Sequence, residues 1–474
     1  MKHNFNSTII RAYDIRGVYE QTLFDQDAFF VGKSFASFLR KNNKRKISVA
    51  CDGRKSSPAL KAQLIKGLIE SGLEIVDVGM GPTPMLYFSV YHLDCDAGIM
   101  VTGSHNPKDH NGFKMLLKER PFFGDDILNL SKMAASGDFV QGEGSIKTFD
   151  IEDIYVHRVL ADCVIAKNNN TKHQTKKLRI AWDAGNGAAG EAMTKIANQL
   201  DADNFLLFAD IDGTFPNHHP DPTVPKNLED LKKEILAQNC DLGIAFDGDG
   251  DRIGVMDDEG GILWGDQLMV FFAREVLHKN PQATIIADVK ASQTLFDEIA
   301  KVGGKPMMWK TGHSLVKAKM KETNSPLAGE MSGHIFFADT YSSHKNHGYD
   351  DALYAAIRII NIVAQSPQKL STLRKSLPQT FSTPEIRIES EDEKKFAIVE
   401  ALKNKLQKLN LNVNDVDGVR VKTDKGWWLI RASNTQPVLV ARCEAQSLAD
   451  LAELKKELRF YLQDCVARLP KELD

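Results

Sequence analysis

Short apolar runs that end at a polar turn and lead into residues of helical period recur three times along the chain: Ile47-Ser48-Val49-Ala50-Cys51-Asp52, Arg179-Ile180-Ala181-Trp182-Asp183 and Thr284-Ile285-Ile286-Ala287-Asp288. Each predicts a strand that opens an α/β unit. Tens of residues later, each unit has a second apolar strand ending in a charged or nucleophilic loop, at Ser104, Asp247 and Glu330. The pattern is that of a threefold internal repeat with diverged loops. In the first unit, Pro58 to Ile69 places leucines and isoleucines at helical spacing, with Ser57 as the expected cap.

Beyond about residue 370 the pattern changes. Glu385-Ile386-Arg387-Ile388, a helix-like stretch from Glu393 to Lys408, Gly418-Val419-Arg420-Val421 and Trp427-Trp428-Leu429-Ile430 predict a smaller α+β domain. A closing amphipathic helix, Leu451 to Leu462, puts Leu451, Leu454, Leu458, Tyr461 and Leu462 on one face. The expected organisation is three successive mixed α/β domains, 1–150, 151–256 and 257–370, followed by an α+β domain, 371–474.

Composition narrows the function classes. A chain of 474 residues exceeds one compact core, and 42% hydrophobic residues supply apolar material for several. Sixty Lys plus Arg against 63 Asp plus Glu leave a formal charge of −3, so any basic site must be local, and nucleic acid or an anionic membrane is not indicated. The start, Met1 to Asn6, lacks an apolar signal core, and no apolar run is long enough to span a bilayer, which predicts a cytoplasmic protein. Six scattered cysteines without a Cys-x-x-Cys pair read as core residues rather than a disulfide or zinc framework. His344 and His347 fall in a polar stretch that reads as a mobile surface loop, not a metal site.

The chemistry concentrates in the loops. Thr102-Gly103-Ser104-His105-Asn106-Pro107 follows the apolar run Ala97 to Val101; glycine allows close backbone approach or an unusual dihedral and Pro107 restricts the residue before it, so that Ser104 can be held in a fixed, exposed direction as a nucleophile. Leu242 to Phe246 runs into Asp247-Gly248-Asp249-Gly250-Asp251-Arg252. Three carboxylates at alternating positions repel one another unless a cation compensates, and the glycines let them converge on one hard divalent ion. An EF-hand is excluded by Arg252 and Asp258 where that loop needs glycine and glutamate. Arg252 beside the acids suits a phosphate held next to Mg²⁺. Gly329-Glu330-Met331-Ser332-Gly333-His334 offers a carboxylate and a hydroxyl for sugar hydroxyls, and Arg431-Ala432-Ser433-Asn434-Thr435 can surround a phosphate with donors.

These segments, with Arg11-Ala12-Tyr13-Asp14-Ile15-Arg16-Gly17, Asp212-Gly213-Thr214-Phe215-Pro216-Asn217-His218-His219-Pro220 and Trp309-Lys310-Thr311-Gly312-His313, occur in one order over nearly the whole chain. In that order they resemble the α-D-phosphohexomutase superfamily, most closely its bacterial phosphomannomutase/phosphoglucomutase group. The resemblance implies three α/β domains and a smaller TATA-box-binding-protein-like domain around a central cleft. It also implies reversible phosphoryl transfer between hexose 1-phosphate and hexose 6-phosphate, mannose or glucose, through a phosphoserine and a 1,6-bisphosphate that reorients. Ser104 is then the phosphoryl carrier, and Ser104, Asp247, Asp249 and Asp251 hold Mg²⁺. Arg16, His105, Lys114 and His334 handle protons or charge; Tyr13, Arg252, Lys290, His313, Glu330, Ser332, Arg431, Ser433, Asn434 and Thr435 contact the ligand. A hexose 1,6-bisphosphate serves as intermediate and activator, with a phosphosugar as the only partner and a monomer or weak homo-oligomer as the assembly.

Two relatives compete within the superfamily. Met331 stands where phosphoglucosamine mutases carry glutamine, and Glu330-Met331-Ser332-Gly333-His334 differs from the Glu-Glu-Ser-Phe-Gly loop of glucose-specific enzymes. The polar stretch from Ile335 to Tyr349 looks longer than usual for the family. Outside the superfamily, Gly185-Asn186-Gly187-Ala188-Ala189-Gly190, with Asp210 downstream, fits a dinucleotide fingerprint and keeps an NAD-dependent oxidoreductase as a distant alternative. Against it, Asp183 would face the incoming pyrophosphate, and a dehydrogenase leaves the three aspartates unexplained. A sugar-phosphate sensor would need neither nucleophile nor metal loop.

Overall fold

A computed structural model describes residues 1–167, 177–341, 344–391, 393–409, 411–434, 436–463, 465–466 and 469–473. Three sheets repeat one strand order. In the first, Glu74–Met80, Lys46–Cys51 and Ala97–Val101 run parallel, and His110–Leu117 pairs antiparallel with the last of them. The second repeats this with Ala202–Leu207, Leu178–Asp183, Leu242–Phe246 and then antiparallel Ile253–Asp257. The third does so with Lys305–Trp309, Thr284–Asp288, Leu327–Gly329 and antiparallel Ile335–Phe337. The diverged loops therefore occupy one topological position, the turn that leaves the carboxyl end of a parallel strand and returns antiparallel, where open α/β sheets place their ligands.

Alternation along these strands explains their continuous apolar character, because both faces are covered. Ile47, Val49, Ile99 and Val101 pack under the helices Asp25–Lys41 and Ser57–Ile69, whereas Ala50 and Met100 face the helix Thr83–His92. In the second sheet Ala181 and Ala245 meet Leu231 and Ile235, and in the third Ile286 and Ala328 meet Val316 and Met320. The opposite faces of all three sheets, with Ala50, Trp182, Ile244 and Ile285, belong to one continuous core. The three repeats are thus fused through a shared interior.

The C-terminal sheet is antiparallel, with Val438–Ala445 and Gly426–Ala432 at its centre. Trp428 and Ile430 face the helices Lys395–Lys408 and Leu448–Leu462, while Trp427 and Leu429 turn the other way onto Val289 of the third repeat. In the last helix Leu454, Leu458 and Leu462 are buried; Leu451 and Tyr461 are only partly so.

Three local expectations are corrected. Ser57 lies inside its helix rather than capping it, and its hydroxyl donates to Asp52 Oδ1 at 2.5 Å. The stretch after His334 is not a free loop: Phe336 and Phe337 are buried in the strand Ile335–Phe337, His344 lies in a short hairpin strand paired with Thr340–Tyr341, and His347 stacks on Tyr91 at 3.9 Å. The Gly-x-Gly-x-x-Gly segment does not face open space, since a Cβ on Gly187 would sit 3.0–3.1 Å from the carbonyl oxygens of Ala184, Gly248 and Asp247. Its glycines permit contact with the acidic loop, and Asp183 is taken by Gly185 N and His218. Five of the cysteines are buried, and none pairs with another. No helix among the described residues is long and apolar enough to cross a membrane.

The first two helices approach through glycines: a Cβ on Gly67 would lie 2.1 Å from Phe29 O, and one on Gly32 would lie 2.3 Å from Leu64 O. Backbone cannot yield as a flexible side chain does. Gly67→Ala is expected to destabilise the fold by about 1–3 kcal/mol, read as a lower thermal midpoint, while activity per folded molecule is unchanged.

Candidate active site

Ser104 sits where the strand Ala97–Val101 ends, with φ of 50°, a left-handed conformation that costs a non-glycine residue roughly 1–2 kcal/mol. The surroundings enforce it. Ser104 N donates to Thr102 Oγ1 at 2.9 Å, and both Thr102 Oγ1 and Gly103 N donate to the buried carboxylate of Asp52, at 2.8 and 3.0 Å. Contrary to the exposed hydroxyl expected from the turn, Ser104 is buried because the acidic loop lies over it. A Cβ on Gly248 would fall 2.4 Å from Ser104 O, so glycine is needed there for the two loops to touch. The serine Oγ lies 3.1 Å from Asp247 Oδ2 and 3.2 Å from His105 Nδ1.

Asp247, Asp249 and Asp251 are fully buried, and one oxygen from each lies within 4.8 Å of the others. Burial and the two neighbouring carboxylates push Asp247 well above the usual range, and burial with Asp249 raises Asp251. Burial also raises Asp249, but Lys114 overcomes it and holds that carboxyl below its ordinary value. Lys114 Nζ, buried in the strand His110–Leu117, donates to Asp249 Oδ2 at 2.7 Å and to Asp251 Oδ2. Burial lowers its pKa, yet these two carboxylates outweigh the effect and raise it. Thr83 completes the cradle, donating from Oγ1 to Asp249 Oδ2 at 2.5 Å. Among the described residues, Asp249 Oδ1 and Asp251 Oδ1 are buried without a hydrogen-bond partner. Unpaired anionic oxygens converging at this spacing suit a hard, oxygen-seeking cation.

Around this centre the other expected residues fall into two groups. In the first, Arg252 Nε donates to His334 Nε2 at 2.9 Å, which assigns the lone pair to that nitrogen; Nδ1 then carries the proton, 2.9 Å from Asp350 Oδ2. Lys317 donates to Asp350 Oδ1 at 2.9 Å, and His313 stacks on His334 at 5.7 Å. Burial, then Lys317, depresses the His313 pKa, and burial, then Arg252, depresses that of His105. Arg16 reaches Gly103 O at 3.3 Å and Asn106 Oδ1 at 3.0 Å.

The second group joins the C-terminal domain to the repeats. Arg431 Nε donates to Asp417 Oδ2 at 2.9 Å, and Thr311 N donates to the same oxygen at 3.0 Å. Asn434 Nδ2 bonds Tyr13 OH, which donates to Thr311 O at 2.7 Å. Glu330 Oε1 accepts from Gly312 N at 2.6 Å, and Lys290 donates to Glu385 Oε1 at 2.7 Å. Ser433 is buried and accepts from Gln436 N, Ser332 is partly exposed, and Thr435 lies outside the described residues.

Sequence reasoning missed Asp52, Thr83, Lys317, Asp350, Glu385 and Asp417. Each reaches the site from a stretch without a motif of its own. Only Asp350, in Gly348-Tyr349-Asp350-Asp351 after a polar run, carried a local signal.

The chain matches four successive domain families described as phosphoglucomutase/phosphomannomutase: alpha/beta/alpha domain I over residues 7–139, domain II over 153–261, domain III over 264–381 and the C-terminal domain over 385–459. It is 42% identical to a phosphomannomutase/phosphoglucomutase of Pseudomonas aeruginosa over 464 residues, covering 98% of this chain and 97% of that protein. Identity to the protein of the same name from Pseudomonas syringae pv. tomato is 44% over 457 residues, 95% of each. The crystal structure of a phosphoglucomutase/phosphomannomutase family protein from Burkholderia thailandensis superposes with a TM-score of 0.89 at 41% identity, over 97% of this chain and 98% of that one.

The acidic centre generates a stability test. A carboxyl whose folded pKa lies above its unfolded value weakens the fold as pH rises through that interval, so ionised Asp247 is a liability at neutral pH without a cation. In chelator-treated protein Asp247→Asn should raise the melting temperature by roughly 2–4 °C. Added Mg²⁺ should stabilise the wild type and leave the variant unmoved, as followed by calorimetry.

Proposed function

Because this chain belongs to the phosphoglucomutase/phosphomannomutase family, we propose that it interconverts hexose 1-phosphate and hexose 6-phosphate through a phosphoryl group carried on Ser104. The observation that carries this reading is the Ser104 hydroxyl, 3.1 Å from a buried aspartate of a three-carboxylate cluster that Lys114 only partly neutralises. The substrates are phosphates of glucose, mannose or both.

Asp247, Asp249, Asp251 and Ser104 would hold Mg²⁺, which when bound supplies positive charge at the transferring phosphoryl oxygens. The protein's own residues do the rest. Lys114 stays protonated between Asp249 and Asp251, so it serves as fixed charge rather than as a base. Arg16, bonded to the serine loop, adds a second cation beside Ser104. His334 Nε2, which accepts from Arg252 Nε in this structure, is the candidate proton acceptor once that donor turns to the ligand, and His105 beside the serine Oγ is the second. Glu330, Ser332, His313, Lys290, Arg252 and Tyr13 would contact the sugar and its distal phosphate.

The bisphosphate formed after the first transfer must turn around before its other phosphate returns to Ser104. One site therefore has to hold the opposite phosphate in both orientations. Arg431, Ser433, Asn434 and Thr435 fit that role. Arg431 is held by Asp417 and Asn434 by Tyr13, polar contacts that a phosphate can replace as the C-terminal domain closes over the ligand and excludes water.

Assays with glucose 1-phosphate, mannose 1-phosphate and glucosamine 1-phosphate side by side test the substrate class; turnover of glucosamine 1-phosphate alone would overturn the glucose/mannose assignment. Ser104→Ala should lower turnover by roughly a thousandfold or more while the fold survives, and intact mass should show one phosphate on the wild type and none on the variant. A fully active enzyme that never carries phosphate at Ser104 would refute the relay. Arg431→Ala should weaken use of 1- and 6-phosphates alike and raise the bisphosphate released to solution, with phosphoserine content near normal; loss in one direction only contradicts a shared site.

A further inference from the structure

The segment Asp212 to Pro220 and the residue Arg54 have no task in the reaction as described, yet they meet directly behind the serine loop. Arg54 is buried and all five of its guanidinium N–H positions are used. Nε donates to Asp52 Oδ2 at 3.2 Å. Nη1 reaches Pro107 O at 2.5 Å and His110 O at 3.0 Å; Nη2 reaches Ser104 O and Asn106 O, both at 2.7 Å. Four carbonyl oxygens of one short loop therefore converge on a single cation. Brought together around one point they would repel, and a planar fork with five donors satisfies them all at once; a lysine offers three donors on a point charge.

Asp52 and Arg54 divide the loop by polarity. The carboxylate accepts from the donors that enter it, Thr102 Oγ1 and Gly103 N, and the guanidinium takes the carbonyls that leave it. Over this pair lies a strap from the second repeat. The ring of Phe215 covers Arg54 Cζ at 5.2 Å, and a Cβ on Gly213 would come within 2.5 Å of Arg54 Cα and Gly53 O. The strap is itself tied down: His218 Nε2 lies 2.9 Å from Asp183 Oδ2, Asn217 Nδ2 donates to Asn186 Oδ1 at 2.8 Å, and Thr214 N and Oγ1 donate to Asp212 Oδ1 at 2.8 and 2.7 Å. Its far end, Pro220, packs by Gly185 and Gly248, the glycine that touches Ser104 O.

We propose that Arg54, seated under Phe215, is a positioning residue for the phosphoryl-carrying serine. It grips the carbonyl side of the loop and so keeps Ser104 in its left-handed conformation with Oγ aimed at Asp247, and the strap refers that posture to the domain that bears the acidic loop. The proposal rests on the mutase reading for its effect on rate, but the grip itself is a property of the loop and is read without substrate. Because Arg54 touches no reacting atom, its loss acts on alignment, and a displacement near 1 Å in such a site costs about 100-fold in rate.

The test compares wild type, Arg54→Lys and Phe215→Leu by hydrogen exchange of residues 102–111, by kcat and KM for hexose 1-phosphate, and by phosphate content from intact mass. Arg54→Lys, melting cooperatively, should exchange the Gly103 to His110 amides at least tenfold faster with the strand Ala97–Val101 unchanged, and should lose about 100-fold in kcat with KM within twofold. Phe215→Leu should move the same quantities in the same direction by a smaller factor, and it decides alone if Arg54→Lys does not fold. Folded variants with wild-type exchange in this segment and wild-type kcat overturn the proposal, as does exchange raised evenly across the first repeat with kcat falling only in proportion to the folded fraction. Loop exchange that rises in the variants while wild-type Ser104 never carries phosphate upholds the grip and refutes the mutase reading. Normal variants of an active, phosphorylated enzyme do the reverse.

Discussion

Three aspartates buried within reach of one another are the constraint around which this molecule is arranged. Isolated carboxylates would be severely penalised away from water, so each needs partners; Asp247 Oδ1 takes two amides of its own loop, Asp251 N and Arg252 N, and the other partners come from outside it. Lys114 and Thr83 reach Asp249 from the first repeat, and Asp247 is bonded to Ser104 of the same repeat. The second repeat thus cannot bury its acidic loop without docking on the first, and docking brings Ser104 to the acids. Among the described residues, Asp249 Oδ1 and Asp251 Oδ1 are the oxygens of this cluster left without a hydrogen-bond partner.

The repeats make this docking rigid. One face of each of the three sheets enters a common core, so the loops at their strand ends are presented by a single packed body rather than by separate lobes. Since every diverged loop occupies the same turn from a parallel to an antiparallel strand, one topology presents Ser104, the carboxylate cluster and Glu330 at equivalent strand ends. Changing the loop changes the chemistry without altering the scaffold.

The C-terminal domain is attached differently. Its own core is closed by two helices, and it meets the third repeat through a small apolar patch, Val289 with Trp427 and Leu429, and through polar links at Asp417, Glu385, Arg420, Arg442 and Glu444, while Asn434 reaches Tyr13 of the first repeat. Interfaces of this polar kind permit relative motion of domains. Arg431 and Asn434 are among the side chains engaged in this region, by Asp417 and by Tyr13.

Much of this was legible in the chain itself. Apolar runs of strand length ending at Ser104, Asp247 and Glu330 identified the repeat, and alternating aspartates with glycines between them identified the cation-seeking loop, because both signals are local and follow from backbone geometry and charge repulsion. The C-terminal change of pattern marked a second architecture for the same reason. Burial of Ser104 was not legible, since it arises from a loop more than a hundred residues away. Nor were Asp52, Arg54, Thr83 and Asp417, single residues in ordinary surroundings whose partners are distant in sequence. Ser57 passed for a cap because its hydroxyl's alternative partner, Asp52, is visible only once the turn is folded. The sequence by itself determined which groups had to be compensated; only the tertiary structure decided which residues compensate them, because that choice depends on three-dimensional proximity that no spacing along the chain encodes.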